Sequence, residues 1–262
     1  MKYKIHVYLV CWNEIKILPF VIDYWKLYAE KVVVYDNCSD DGSVELLSKY
    51  SPWIEVRRFE TEGADNQRHI DIKNHCWKES RGKADFVVVC DTDECLFSPV
   101  LEQELDYMKE NNMTLCGPRQ YSLYGDSYPE YQEGKLLHEI ISKVKLQKSN
   151  HSKIFITSGK IMLFDPNKIE ETNFAPGCHD VNIKGEAKLY DGNKIFCIHI
   201  NKGFGADYRI ARCAILRDRR SKNDLKHGYG VHFFYSPERI RREYEQCVAE
   251  SENFLDILND IK

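Results

Sequence analysis

Two carboxylates spaced by one residue, Asp91 and Asp93, are the most pointed chemical feature of this chain. They follow the apolar run Phe86-Val87-Val88-Val89-Cys90, so they stand where a buried strand ends and can project to one side. Such a pair is a hard oxygen site for Mg²⁺ or Mn²⁺, ions that usually keep positions for substrate phosphates. A metal held there would neutralise the charge of a phosphate leaving group, which is Lewis-acid assistance. A solvated acidic loop gives the same pattern by chance, and the buried strand before it favours the metal. A second polar group, Asp36-Asn37 with Ser39, Asp40, Asp41, Gly42 and Ser43, follows the apolar run at 32–35. A carboxylate or amide there can accept from the N–H edge of a nucleobase with ribose nearby, while Ser39, Asp40 or Asp41 caps the next helix. Asn13 and Glu14, after the first apolar run, line the same pocket or begin a helix.

These groups need a scaffold that brings strand ends together. Residues 6–10 are β-rich, and Leu18, Val21, Ile22, Trp25 and Tyr28 follow helical spacing, with Pro19 near the helix start. Strands at 32–35, 54–59 and 86–90 alternate with helices after Gly42, over 64–80, and from Ser98-Pro99 with Leu101, Leu105 and Met108 on one face. The alternation predicts an α/β fold, a mostly parallel sheet flanked by helices, whose ligands bind beyond the carboxyl ends of the strands. The second half is less regular. Residues 121–131 are expected to be a loop, 153–164 a hairpin around Ser158-Gly159, 194–200 a strand, and 206–220 and 237–258 helices.

Hydrophobic residues make up 43% and charged residues 30% of the 262 positions, an ordinary globular mix. The net charge of −4 gives no reason to expect a nucleic-acid partner. No apolar run is long enough to span a bilayer, and the N-terminus lacks a cleavage site, which implies a cytoplasmic protein. Ten scattered cysteines without a C-x-x-C pair are expected to be reduced thiols. A nucleotidyltransferase or a dinucleotide oxidoreductase would want a Gly-rich phosphate loop after the first strand, and Cys11-Trp12-Asn13-Glu14 is none.

Cys11-Trp12-Asn13-Glu14, Tyr35-Asp36-Asn37-Cys38-Ser39-Asp40-Asp41-Gly42-Ser43 and Cys90-Asp91-Thr92-Asp93-Glu94-Cys95-Leu96 resemble, in order and spacing, the family 2-like glycosyltransferases, in a branch with an Asp-x-Asp-Glu motif. The resemblance is specific over residues 5–97. It implies a GT-A fold with a Rossmann-like sheet, a nucleotide-diphosphate sugar as donor, a divalent cation, and an acceptor that is a glycan or glycolipid of the cell surface. By it, Asp36 contacts base or ribose, Asp91 and Thr92 belong to the donor site with Asn13, Glu14 and Asn37, and Gln67 and Arg68 add donor contacts. Asp91 and Asp93 then hold the metal. A looser likeness over residues 198–205 brings in His199 as a third metal ligand, tilting preference towards Mn²⁺; a hydrogen-bonded structural histidine is the alternative. The Glu-Asp pair that supplies the base in inverting members is missing, so Asp180, then His179, are the candidates to deprotonate the acceptor.

The expected organisation is a catalytic domain over 1–205, with a nucleotide-binding half to about 115 and an acceptor half over 116–205, followed by a C-terminal helical appendage over 206–262. That appendage is basic and interleaved with aromatics. It serves as a flap over the diphosphate, as a peripheral contact with anionic glycan or lipid headgroups at the inner membrane face, or as a plain solvated surface. The competing functional class is a non-catalytic module that binds nucleotide-sugar or glycan on the same fold.

Overall fold

The computed structural model describes residues 1–125, 130–140, 145–148, 160–178, 181–200, 204–254 and 256. Every residue of β1 (Ile5–Cys11) is buried, because the strand runs down the middle of a sheet covered on both faces. On one side it pairs in parallel with β2 (Ala29–Asp36), which pairs with β3 (Ile54–Arg58); on the other it pairs with β4 (Phe86–Asp91). The strand period of two divides the core. Val7, Leu9, Val32, Val34 and Val88 face α1 (Leu18–Tyr28), whose Phe20, Val21 and Trp25 are buried against them. Tyr8, Val10, Val33, Val87 and Val89 face the opposite way, towards Ile70, Ile72 and Trp77.

The order β3-β2-β1-β4 reverses direction between β1 and β4, which makes the carboxyl ends of those two strands the switch point of the sheet. The loop after β2 leads through Gly42, at φ 93°, into α2 (Ser43–Ser48). The expected helix over 64–80 divides into α3 (Asn66–His75), capped by the Asp65 carboxylate, and a tighter 3-10 turn over Cys76–Ser80. β5 (Glu94–Phe97) follows the paired aspartates. α4 (Leu101–Glu110) begins three residues after Ser98, whose hydroxyl accepts from the Val100 amide instead of capping the helix proper.

Beyond Glu110 the chain builds edges and a second sheet. β6 (Leu115–Cys116) and β9 (Leu163–Phe164) extend the main sheet with antiparallel pairings, so Leu163 and Phe164 join β4 and β6. The turn expected at Ser158-Gly159 lies outside the described residues. Residues 121–131 are not wholly irregular: β7 (Arg119–Tyr124) buries Tyr121, Ser122, Leu123 and Tyr124. It pairs in parallel with β12 (Phe196–His199) and antiparallel with β8 (Lys145–Lys148), which follows the short α5 (Leu137–Ile140). β12 also pairs with β5, and β10 (Ile169–Glu171) with β11 (Lys184–Gly185). The C-terminal helices are α6 (Ala206–Asp218), α7 (Lys222–Lys226) and α8 (Pro237–Ala249). α8 ends nine residues before the expected 258, and β13 (Glu252–Asn253) joins β8. The helical extension folds back over the strand ends. Arg212 of α6 reaches Glu14, and residues Ala64 and Arg220 form a bridge between the segment before α3 and the end of α6. Among the described residues no helix is long and apolar enough to cross a membrane.

Candidate active site

A cleft of about 730 Å³ opens at the switch point, and the ends of β1 and β4, the face of α3, β12 and the C-terminal segment line it. The turn after β1 is fixed from below by the loop after β2. The Asn13 amide donates to Ser39 Oγ (2.9 Å), the Glu14 amide to Ser43 Oγ (3.1 Å) and the Ile15 amide to Asp41 Oδ2 (2.9 Å). Asn13 adopts φ 52°, a left-handed conformation asparagine tolerates, and its side chain exchanges hydrogen bonds with Asp40. This turn presents Trp12 and Glu14 to the cleft and commits Asn13 to the scaffold.

Glu14 is buried and receives the Arg212 guanidinium at 2.6 Å. Burial, together with Asp93, Asp41 and Asp91 nearby, pushes its carboxyl above the ordinary range, and Arg212 opposes that. Thr92 ties the two strand ends together, its amide and hydroxyl both donating to the Val10 carbonyl (3.0 and 2.9 Å). Asp36 and Asn37, at the end of β2, are fully buried and are not among the residues that line the cleft. Asp36 Oδ2 accepts from the Ser39 amide (3.0 Å), whereas Oδ1 has no hydrogen-bond partner among the described residues. Asn37 donates to Thr61 Oγ1 (3.0 Å), and Arg219 donates to its backbone carbonyl (3.1 Å) and side-chain oxygen.

The helical phase of α3 turns Asn66, His69 and Lys73 inward, at positions i, i+3 and i+7, and leaves Gln67 and Arg68 exposed. Gln67 instead donates to Asp71 along its own helix (3.0 Å). The sequence signal for the inward set was that spacing; the family pattern pointed to its neighbours. Lys73, buried beneath the cleft, donates to Asp91 Oδ1 at 2.7 Å. Lys160, also buried, reaches Glu94 at 2.6 Å and Asp91 Oδ2 at 3.5 Å. Burial works to raise the Asp91 carboxyl, but the two ammonium groups hold it well below the carboxylate range. Neither lysine is marked in the sequence as part of the site, since each lies far along the chain from the aspartate it meets.

Asp91, Asp93 and His199 do not gather as the three-ligand set expected. Among the described residues no group of three or more histidine, cysteine or carboxylate side chains is placed to hold one ion, because Asp91 turns both oxygens towards lysines. Asp93 and His199 do meet, Oδ2 to Nε2 at 2.9 Å, with both residues on the cleft wall. Adjacent ligands of an octahedral ion with bonds of about 2.1 Å stand about 3.0 Å apart, so this pair fits two neighbouring positions on a divalent cation. Burial would raise the Asp93 carboxyl, yet the His199 ring beside it holds it below its ordinary value. His179 and Asp180 lie outside the described residues; Pro176 and Gly177 before them line the cleft.

Residues 7–172, well over half of the chain, match glycosyl transferase family 2, and the chain belongs to that family. No curated protein sequence matches it. Among solved structures, S. aureus TarS is similar at 14% identity and a TM-score of 0.42, over 85% of this chain and 41% of that one. A shorter TarS (1-349) in complex with UDP-GlcNAc gives 12% and 0.41, over 92% of this chain and 71% of that one. GalNAc-T7 with UDP, GalNAc and Mn²⁺ gives 13% and 0.45, over 79% and 47%. The chain thus spans less than half the length of the longer TarS and GalNAc-T7 chains it matches.

Proposed function

We propose that the chain transfers a sugar from a nucleotide-diphosphate sugar to an acceptor hydroxyl, with Asp93 and His199 holding Mn²⁺ or Mg²⁺ beside the diphosphate. The observation that carries this reading is the 2.9 Å approach of Asp93 to His199 in the cleft at the switch point. An imidazole in the pair favours Mn²⁺. When bound, such an ion supplies electrostatic stabilisation of the departing diphosphate. The chain's own residues do the rest. Lys73 and Lys160 clamp Asp91 and so fix the end of β4, which positions Asp93. Asp36, at the end of β2, serves the base or ribose side of the donor site, and its Oδ1, without a partner among the described residues, is otherwise costly in a buried carboxylate. Asn37, Thr92 and Glu14 frame the donor site, and Asp180 or His179 takes the acceptor proton from the side that Pro176 and Gly177 border.

On this reading residues 1–115 form the donor half, 116–205 the acceptor half, and 206–262 a C-terminal extension. The acceptor is a glycan or glycolipid in surface-glycan synthesis, met in the cytoplasm with peripheral membrane contact through the basic C-terminal region. The competing reading, a binding module without turnover, shares the nucleotide site, so only product formation separates the two.

The test is thermal stability with UDP, GDP, CDP and ADP, each with and without Mn²⁺, in wild type and Asp93→Ala. A ligand at a hundredfold excess over its dissociation constant adds about 2.7 kcal/mol. At about 2–4 °C per kcal/mol for a chain of this size, the midpoint rises by about 5–11 °C. One nucleotide is expected to shift the midpoint only with Mn²⁺, and Asp93→Ala to abolish the shift. A metal-dependent shift that survives in Asp93→Ala would refute the metal assignment, and no shift with any nucleotide would refute the donor class.

A further inference from the structure

Four guanidinium groups, Arg209 and Arg212 of α6 and Arg219 and Arg220 just after it, line the cleft. Two of them are matched. Arg212 meets Glu14 at 2.6 Å, and Arg220 meets the fully buried Asp224 at 2.7 Å. Arg219 pairs with no carboxylate among the described residues. It stacks over the Trp12 ring at 3.7 Å and donates to the two oxygens of Asn37, all of them neutral groups.

That placement is built by the backbone. The Ala64 amide donates to the Arg219 carbonyl (2.7 Å), and the Ser221 amide donates back to the Ala64 carbonyl (3.1 Å). A β-carbon on Gly63 would stand 2.0 Å from the Arg219 carbonyl oxygen, so only glycine lets the two segments come this close. Asp224 then locks the segment to α3, accepting from the Asn66 amide (3.1 Å) and side chain (2.7 Å). A half-buried cation is thus held beside two like charges in no direct ion pair, with the Asp36 carboxylate acting on it only from a distance. Burial, then the neighbouring Arg212 and Arg220, pushes its pKa down to about 10. Further buried nitrogens around the cleft have no hydrogen-bond partner among the described residues: His69 Nε2 of α3, Arg212 Nε and Arg220 Nε. A surplus of donors and positive charge calls for a ligand that brings acceptors and negative charge.

We propose that Arg219 is a binding residue for the diphosphate of the donor, supplied by the C-terminal segment. The proposal rests on the nucleotide-sugar reading of the cleft. A planar guanidinium forks onto phosphate oxygens with charge-assisted hydrogen bonds stronger than those it makes to an amide. On donor binding Arg219 leaves Asn37 and the Trp12 face for the diphosphate. The cleft then closes on the leaving group from two sides, with Asp93 and His199 on one and Arg219 on the other.

The experiment is calorimetric titration of the full chain, wild type against Arg219→Gln and Arg219→Lys, with thermal melts as a check on folding. Probes, each in the presence of Mn²⁺, are UDP, GDP, CDP and ADP, the nucleoside of whichever binds, and inorganic pyrophosphate. Arg219→Gln is expected to weaken the nucleoside diphosphate and pyrophosphate by about tenfold or more, the size of one charge-assisted hydrogen bond, and to leave the nucleoside unchanged. Arg219→Lys, which keeps the charge and loses the fork, is expected to fall between. It carries the test alone if the glutamine variant does not fold. Equal affinity for the diphosphate in wild type and variant overturns the proposal. So does a variant that binds nucleoside and diphosphate more tightly, which would make Arg219 a plug over Trp12, or one that loses both equally. If wild type binds none of the four nucleotides, the donor reading falls and takes this proposal with it; if wild type binds and Arg219→Gln is indistinguishable, only the arginine assignment falls.

Discussion

Removing Glu14 tests how firmly the C-terminal helices are joined to the main sheet. The Glu14 and Arg212 side chains are 8% and 10% exposed and meet at 2.6 Å, across 198 residues of sequence. Deleting one partner of a buried pair usually costs about 3–5 kcal/mol, because the other charge is left without compensation. Two features place this site at the low end. Arg212 still donates to the Trp12 and Asn13 carbonyls at 3.3 and 3.4 Å, and loss of Glu14 relieves its repulsion with Asp93, Asp41 and Asp91. Glu14→Ala should therefore cost about 3 kcal/mol, or about 6–12 °C in midpoint for a chain of this size. The assay is a double-mutant cycle by urea unfolding with Glu14→Ala, Arg212→Ala and both together. A strong coupling is expected, with the double variant far less destabilised than the sum of the singles. A coupling energy under about 0.5 kcal/mol would refute the reasoning, since sites that do not interact add within that margin.

Two more outcomes follow from particular contacts. Gly63→Ala forces a β-carbon against the Arg219 carbonyl at a residue with φ 77°, so a loss of about 1–3 kcal/mol is expected, with weaker nucleoside diphosphate binding as Arg219 shifts. An unchanged melting midpoint would show that the close approach is not required. His6, bonded to Ser80 Oγ at 2.8 Å, and His69 are both pushed below the usual imidazole range, chiefly by burial. They stay neutral in the fold, while the unfolded chain takes up protons near pH 6.5. Their contribution is therefore complete above about pH 6.5 and is lost as pH falls towards the lower folded values. Glu30, Lys31, Glu79 and Lys83 around His6 do not reverse that direction. Melts from pH 7.5 to 5 should show the decline, and His6→Gln should flatten it; an identical slope in the variant would clear His6 of the effect.

The strand ends were legible from local pattern alone. Apolar runs at 32–35 and 86–90, each closed by an aspartate, mark buried strands because a covered parallel strand needs apolar residues on both faces. The alternation with helices then places Glu14, Asp36 and Asp91 at one edge before any contact is known. Local pattern was less reliable for β7. Tyr121-Ser122-Leu123-Tyr124 has no clean polar–apolar alternation, since all four residues are buried, and the strands it pairs with, β8 and β12, come from other parts of the chain. On α3, identity suggested Gln67 and Arg68, but the helix phase exposes them and turns Asn66, His69 and Lys73 inward.

The charges themselves were plain in the sequence, but their partners were not. Lys73 and Lys160 both meet Asp91 although they lie 87 positions apart, and Arg212 meets Glu14 from the far end of the chain. Hydrophobic periodicity is set by near neighbours, so a few residues reveal it. Which charges pair depends on long loops closing and on side chains losing their water together, a property of the folded whole. For that reason the sheet and its polar strand ends follow from the sequence, whereas the clamp on Asp91, the Asp93–His199 contact and the arginine wall appear only once the chain has folded back on itself.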